Sequence, residues 1–154
     1  ATLLKKGDKP YWKLAAYQSA LQFQPDVVII KLGTNDTKPH NWKHKAEYID
    51  NYVEMIKSFR ALESKPTVWV CYPVPAYQVR WGISDKTIKS EVIPMVDTVS
   101  KKANVKIIDL YTELSGKPKI FPDKVHPNAE GAKIIAETVH KAIAAQPAAT
   151  VTSP

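Results

Sequence analysis

The chain has 154 residues, 44% hydrophobic and 24% charged, with a formal net charge of +7. That length suits one domain able to bury about 68–70% of its unfolded surface, and no apolar run approaches the roughly 20 residues of a membrane span. The lysines are scattered, with no basic run and no aromatic-studded recognition motif, so the charge speaks to solubility and steering and excludes nucleic acid as the expected partner.

The chain opens Ala1-Thr2-Leu3-Leu4, without Met and without a secretory signal pattern, and is expected to start inside a longer gene product. Tyr11 to Phe23 reads as a helix, with Asp8 as its cap and Pro10 in the first turn. Val27 to Leu32 is apolar except for Lys31, the pattern of a strand covered on both faces and placed centrally in a parallel sheet. Lys45 to Leu62 puts Ile49, Tyr52, Val53, Ile56 and Phe59 on one helical face. Thr67 to Tyr72 is a second strand, rich in β-branched and aromatic residues. It carries the one cysteine, Cys71, which excludes an internal disulfide and reads as a buried thiol.

Asp85 to Ala103 is a third helix, with Ile88, Val92, Met95, Val96 and Val99 in register. Pro94 inside it removes a backbone donor and calls for a kink or restart. Val105 to Leu110 is a third strand, and Asn128 to Ala144 a last helix carrying Ile135, Val139 and Ile143. Residues 1–145 are thus expected to form one domain of about three strands and four helices. Residues 146–154, rich in Ala, Thr and Pro, read as a tail or linker and lean towards a secreted, multidomain protein. Alternating strands and helices of these lengths predict an α/β fold with parallel pairing.

In open parallel sheets, ligands bind beyond the carboxyl ends of the strands. Gly33-Thr34-Asn35-Asp36 follows the first strand there, and the loop from Tyr111 leads to Asp123-Lys124-Val125-His126-Pro127. Asn35 offers a neutral amide donor for a developing oxyanion. Gly33 lets the backbone turn off the strand. Asp36 is expected to cap the turn that follows. Asp123 can fold back on His126 and fix its tautomer, the base half of a hydrolytic triad. Trp42, Tyr77, Arg80 and Trp81 fall in loops leaving the same edge, where they would either hold a substrate or pack the loops. His40 and His44 are four apart, with Asp36 four before them, but Pro39 interrupts the helix they would need to share a metal, and no metal is expected.

The two motifs together resemble the SGNH (GDSL-type) hydrolase family, marked by four sequence blocks that contribute Ser, Gly, Asn and His. Gly33-Thr34-Asn35-Asp36 matches the third block and Asp123-Lys124-Val125-His126-Pro127 the last. The resemblance implies a flavodoxin-like three-layer α/β/α fold with a parallel sheet, and ester hydrolysis without metal or organic cofactor. It implies Asn35 as oxyanion donor, His126 as general base and Asp123 as its partner. Gly-Thr-Asn-Asp-x-Lys-Pro-x-Asn-Trp, residues 33–42, looks most like bacterial esterases acting on acetylated carbohydrates. One block departs from the pattern: no Gly-Asp-Ser occurs, and Gly7-Asp8 is followed by Lys9. Ser84 and Ser115 lie in loops with nothing to position them as nucleophiles.

The expected nucleophile and one oxyanion Gly therefore lie upstream, with about two strands and a helix. A complementary N-terminal segment, or a second copy of the chain, would cover the strand edge this leaves open. The alternative is a catalytically incomplete binding domain for a glycan or protein partner. A flavodoxin-like mononucleotide binder has little support with five Gly and no phosphate loop.

Overall fold

The computed structural model describes residues 1–145; the expected tail or linker, 146–154, lies outside the described residues. Helices α1 (Ala15–Gln22), α2 (Pro39–Trp42), α3 (Tyr48–Arg60), α4 (Asp85–Thr87), α5 (Ile93–Ala103), α6 (Leu110–Leu114) and α7 (Ala129–Ala144) surround three strands. The strands are β1 (Val27–Ile30), β2 (Thr67–Cys71) and β3 (Lys106–Ile108). All pairing is parallel, in the order β1-β2-β3, with Val28 opposite Val68 and Val70 opposite Ile107.

The sheet has two covered faces because successive side chains alternate across it. Val28, Ile30, Val68 and Val70 pack with Tyr17, Tyr52, Ile56, Phe59 and Val96 from α1, α3 and α5. Trp69, Cys71 and Ile108 face the other way, against Leu110, Leu114, Ile135 and Val139 from α6 and α7. This is the expected three-layer α/β/α arrangement. Cys71 is a fully buried free thiol, and burial pushes its pKa up to about 12.

Among the described residues β2 is the inner strand and β1 pairs only with β2, which leaves the open strand edge expected from the sequence; Val27 there is 40% exposed. That free edge borders an open hollow of about 820 Å³, lined by Tyr11, Ala20, Phe23, Ile29, Met55 and Phe59. Three other expectations need correction. The first helix breaks at Leu14, which is extended, so a 3₁₀ turn Tyr11–Lys13 precedes α1. Tertiary bonds cause the break: Tyr11 N donates to Thr2 O at 2.9 Å and Trp12 Nε1 to Leu3 O at 2.7 Å. Asp8 caps nothing and is drawn to Asn41 instead, accepting from its Nδ2 at 3.0 Å. The third strand stops at Ile108, because the Asp109 carboxylate accepts from Thr112 N and starts α6. At Pro94 the expected interruption is a widened π turn, Ile88–Val92, with Pro94 in the first turn of α5.

Candidate active site

β1 ends at Ile30, and the chain turns away at Gly33 with φ +130°. That angle favours glycine, and a Cβ there would stand 2.6 Å from the Tyr48 hydroxyl. The turn delivers Asn35 to a 3₁₀ segment, Asn35–Thr37, at the carboxyl edge of the sheet. Its backbone carbonyl accepts from Asn41 Nδ2 at 2.9 Å, while its side-chain amide bonds to none of the described residues.

The second motif is built by one carboxylate. Asp123 Oδ1 accepts from the backbone N–H groups of Val125 (2.9 Å) and His126 (2.7 Å), curling the loop back on itself. Lys124 takes φ +71° to make that curl. Asp123 Oδ2 then lies 2.7 Å from His126 Nδ1. The backbone N–H of His126, its ring and the N–H of Val125 together hold the Asp123 carboxyl well below the usual carboxylate range. An ionised partner at Nδ1 places the imidazole proton there and leaves the Nε2 lone pair free to accept.

The helix behind the ring is fixed too. Asn128 Oδ1 accepts from Gly131 N at 3.1 Å and caps α7. A Cβ on Gly131 would meet Pro127 Cβ at 2.6 Å, so only glycine lets the His126-Pro127 turn rest on the helix. This supporting glycine had no signal in the motif.

Gly33, Thr34, Asn35 and His126 line one cleft of about 160 Å³, walled by Val74, Ile83 and Val125. Ala1 and Lys31 reach it as well. Among the described residues Thr34 carries the one hydroxyl in that lining; Ser84 and Ser115 do not line it, and Ser115 donates instead to the Tyr111 carbonyl at 2.7 Å.

The other sequence candidates divide. Asp36 is fully buried and caps no turn. Its carboxylate accepts from Leu3 N (3.0 Å) and Leu4 N (2.7 Å), tying the first residues beside the cleft. Burial pushes its pKa up, against the pull of those two amides. Trp42 is buried on Tyr48, with Nε1 donating to Glu91 Oε2 at 3.0 Å, and so belongs to the core and not to a ligand-facing loop. Tyr77 packs on Phe121, and its hydroxyl donates to Leu114 O while accepting from Lys117 N, so it too is a loop-packing residue. Arg80 and Trp81 stand beside the Asp123–His126 pair, outside the cleft's lining: Arg80 Nη1 lies 3.3 Å from Asp123 O, and the Trp81 ring centroid 5.7 Å from that of His126. His40 meets Asp8, Nε2 to Oδ2 at 3.2 Å, and is separated in role from Asp36, which faces Leu3 and Leu4.

Residues 7–134 match the GDSL-like Lipase/Acylhydrolase family. The chain belongs to that family. It is 40% identical, over 92% of its length, to an acetylxylan esterase of Xylanibacter ruminicola. It spans about a third (33%) of that relative's length. Among solved structures, a carbohydrate esterase family 3 protein from Talaromyces cellulolyticus superposes with a TM-score of 0.67 at 24% identity, covering 86% of this chain and 63% of the other. A carbohydrate acetylesterase from Sinorhizobium meliloti gives 0.70 at 19% identity, covering 84% and 65%. These two likenesses carry the fold.

Proposed function

We propose that this chain supplies the base and oxyanion half of a serine acyl hydrolase that removes acetyl groups from carbohydrate esters. The observation that carries the reading is the cleft itself: an imidazole oriented by an ionised carboxylate at 2.7 Å, opening beside the Asn35 amide. An amide donor and an oriented base in one cleft meet the needs of acyl transfer. The small apolar walls of Val74, Ile83 and Val125 fit a short acyl group. Acetylated carbohydrate as substrate rests on the acetylxylan esterase relative.

The reaction runs in two balanced steps. A serine hydroxyl attacks the ester carbonyl, and His126 Nε2 takes its proton. The oxyanion is held by Asn35, and Asp123 stabilises the imidazolium. Collapse expels the sugar hydroxyl, protonated by His126, and leaves an acetyl-serine. Water, deprotonated by the same imidazole, then releases acetate and restores the serine. Thr34, the one hydroxyl lining the cleft among the described residues, shares the Gly33–Asn35 turn, and the reading draws the serine from a segment of the protein outside these 154 residues. The free edge of β1, which meets the cleft at Lys31 and Leu32, offers that segment a place to pair.

Among the described residues no serine lines the cleft, which also favours a second reading, a catalytically incomplete domain that binds a glycan or protein partner. A fluorophosphonate probe separates the two, since covalent labelling of the full-length protein occurs only with an activated serine. For the hydrolase reading, full-length protein should release acetate from ethyl acetate, and His126→Ala should nearly abolish this. Equal rates in the two proteins would sink it.

A further inference from the structure

Among the described residues Trp81 is the one that combines an exposed large apolar side chain with a positive φ. It is a large apolar side chain left 54% exposed, at a backbone φ of +52° that bulky residues rarely adopt. Neither feature aids packing, and both are enforced by the surroundings. Arg80 and Ile83 exchange backbone hydrogen bonds, at 3.3 and 2.9 Å, around the two-residue tip Trp81-Gly82. Gly82 takes φ +81°, and a Cβ there would stand 2.8 Å from Pro39 Cδ, so the tip is seated hard on the start of α2.

The loop is pinned at its base as well. Tyr77 N donates to Lys124 O at 2.8 Å, and Ile83 is 2% exposed in the wall of the cleft. Arg80 lies 4.4 Å over the Trp81 ring while its guanidinium reaches Asp123 O. The indole is therefore fixed to the same loop that holds the Asp123–His126 pair, with its centroid 5.7 Å from the imidazole. With Arg80 over one face, the half-exposed indole beside the base has its opposite face as an apolar plane, which suits the C–H face of a pyranose ring.

The geometry points to Trp81 as the sugar-binding platform of the cleft, stacking on the pyranose whose acetyl group is presented to His126. This rests on the esterase reading for the chemistry, but the stacking itself makes a separate claim about ligand class. Arg80 takes part as the group that fixes the indole, by its position over the ring and its bond to the His126 loop.

The test compares two substrates and one non-reacting ligand in the full-length protein. With Trp81→Ala, KM for an acetylated xylo-oligosaccharide should rise about tenfold, while kcat and the efficiency on ethyl acetate stay within about twofold. Trp81→Phe should recover most of the loss. Calorimetric binding of unacetylated xylotetraose should weaken by about tenfold in Trp81→Ala. An equal loss on both esters would make Trp81 merely structural and overturn the proposal. So would unchanged KM, or xylotetraose binding that is absent from the wild type or indifferent to the substitution. If the wild type hydrolysed neither ester, the esterase reading would fall, and the xylotetraose measurement would still decide the role of Trp81.

Discussion

Asp123–His126 and Asp8–His40 are both aspartate–imidazole pairs with exposed rings, at nitrogen–oxygen distances of 2.7 and 3.2 Å. Their surroundings set them apart. Asp123 is fixed by two backbone N–H groups and meets its histidine at Nδ1, which leaves Nε2 free on a residue that lines the cleft with Asn35 and Gly33. Asp8 divides its oxygens among His40, Asn41 Nδ2 and, at 3.5 Å, Lys38 Nζ. Its own N–H donates to Asn41 Oδ1 at 2.8 Å. That second pair ties residue 8 to the start of α2, and it meets its histidine through Nε2. An Asp next to a His is thus no mark of catalysis. What matters is which ring nitrogen is left free, and whether a neutral donor stands where charge will develop.

The comparison can be broken at either carboxylate. Asp123→Asn should lower kcat on ethyl acetate by about 10⁴-fold, because the amide favours the wrong tautomer of His126. A loss below tenfold would place the two pairs on the same footing. Asn35→Ala removes the donor that sets the first cleft apart, and should cost about 10²–10³ in kcat with little change in KM. An effect confined to KM would argue for a binding role instead.

The smallest effect belongs to Asp8. Burial works to raise its pKa, but hydrogen bonds from His40 and Asn41, with Lys38, bring it from 3.8 down to about 2. A carboxylate depressed on folding contributes stability above its unfolded pKa and loses it as pH falls through the folded value. Asp8→Asn should keep full activity and lose at most about 1 kcal/mol at pH 7, since the pair is largely exposed. In urea titrations that deficit should shrink as pH falls from about 4 towards 2; a deficit independent of pH would show that the charge contributes nothing.

Much of the architecture was legible from periodicity. Val28, Ile30, Val68 and Val70 alternate as strands must, and Tyr52, Val53, Ile56 and Phe59 keep the helical spacing that buries α3. Failures came where distant residues decide local form. α1 loses its first turn to bonds with Thr2 and Leu3, and Asp36 finds its partners more than thirty residues away. The apolar run of β1 calls for cover on both sides without naming the neighbour, and among the described residues β2 is the one strand beside it. At the site, the Asp123-x-x-His126 spacing foretold a contact because its geometry is local. The loop aromatics could not be sorted that way. Trp42 and Trp81 have the same side chain, yet one turns into the core against Tyr48 and the other is held out beside His126.

The most direct measurement sets the two histidines against each other in the full-length protein, by the rate of acetate release from ethyl acetate. His126→Ala should reduce kcat by about four to six orders of magnitude, and His40→Ala should leave it unchanged. Comparable rates for the two variants would contradict the assignment of His126 as the base.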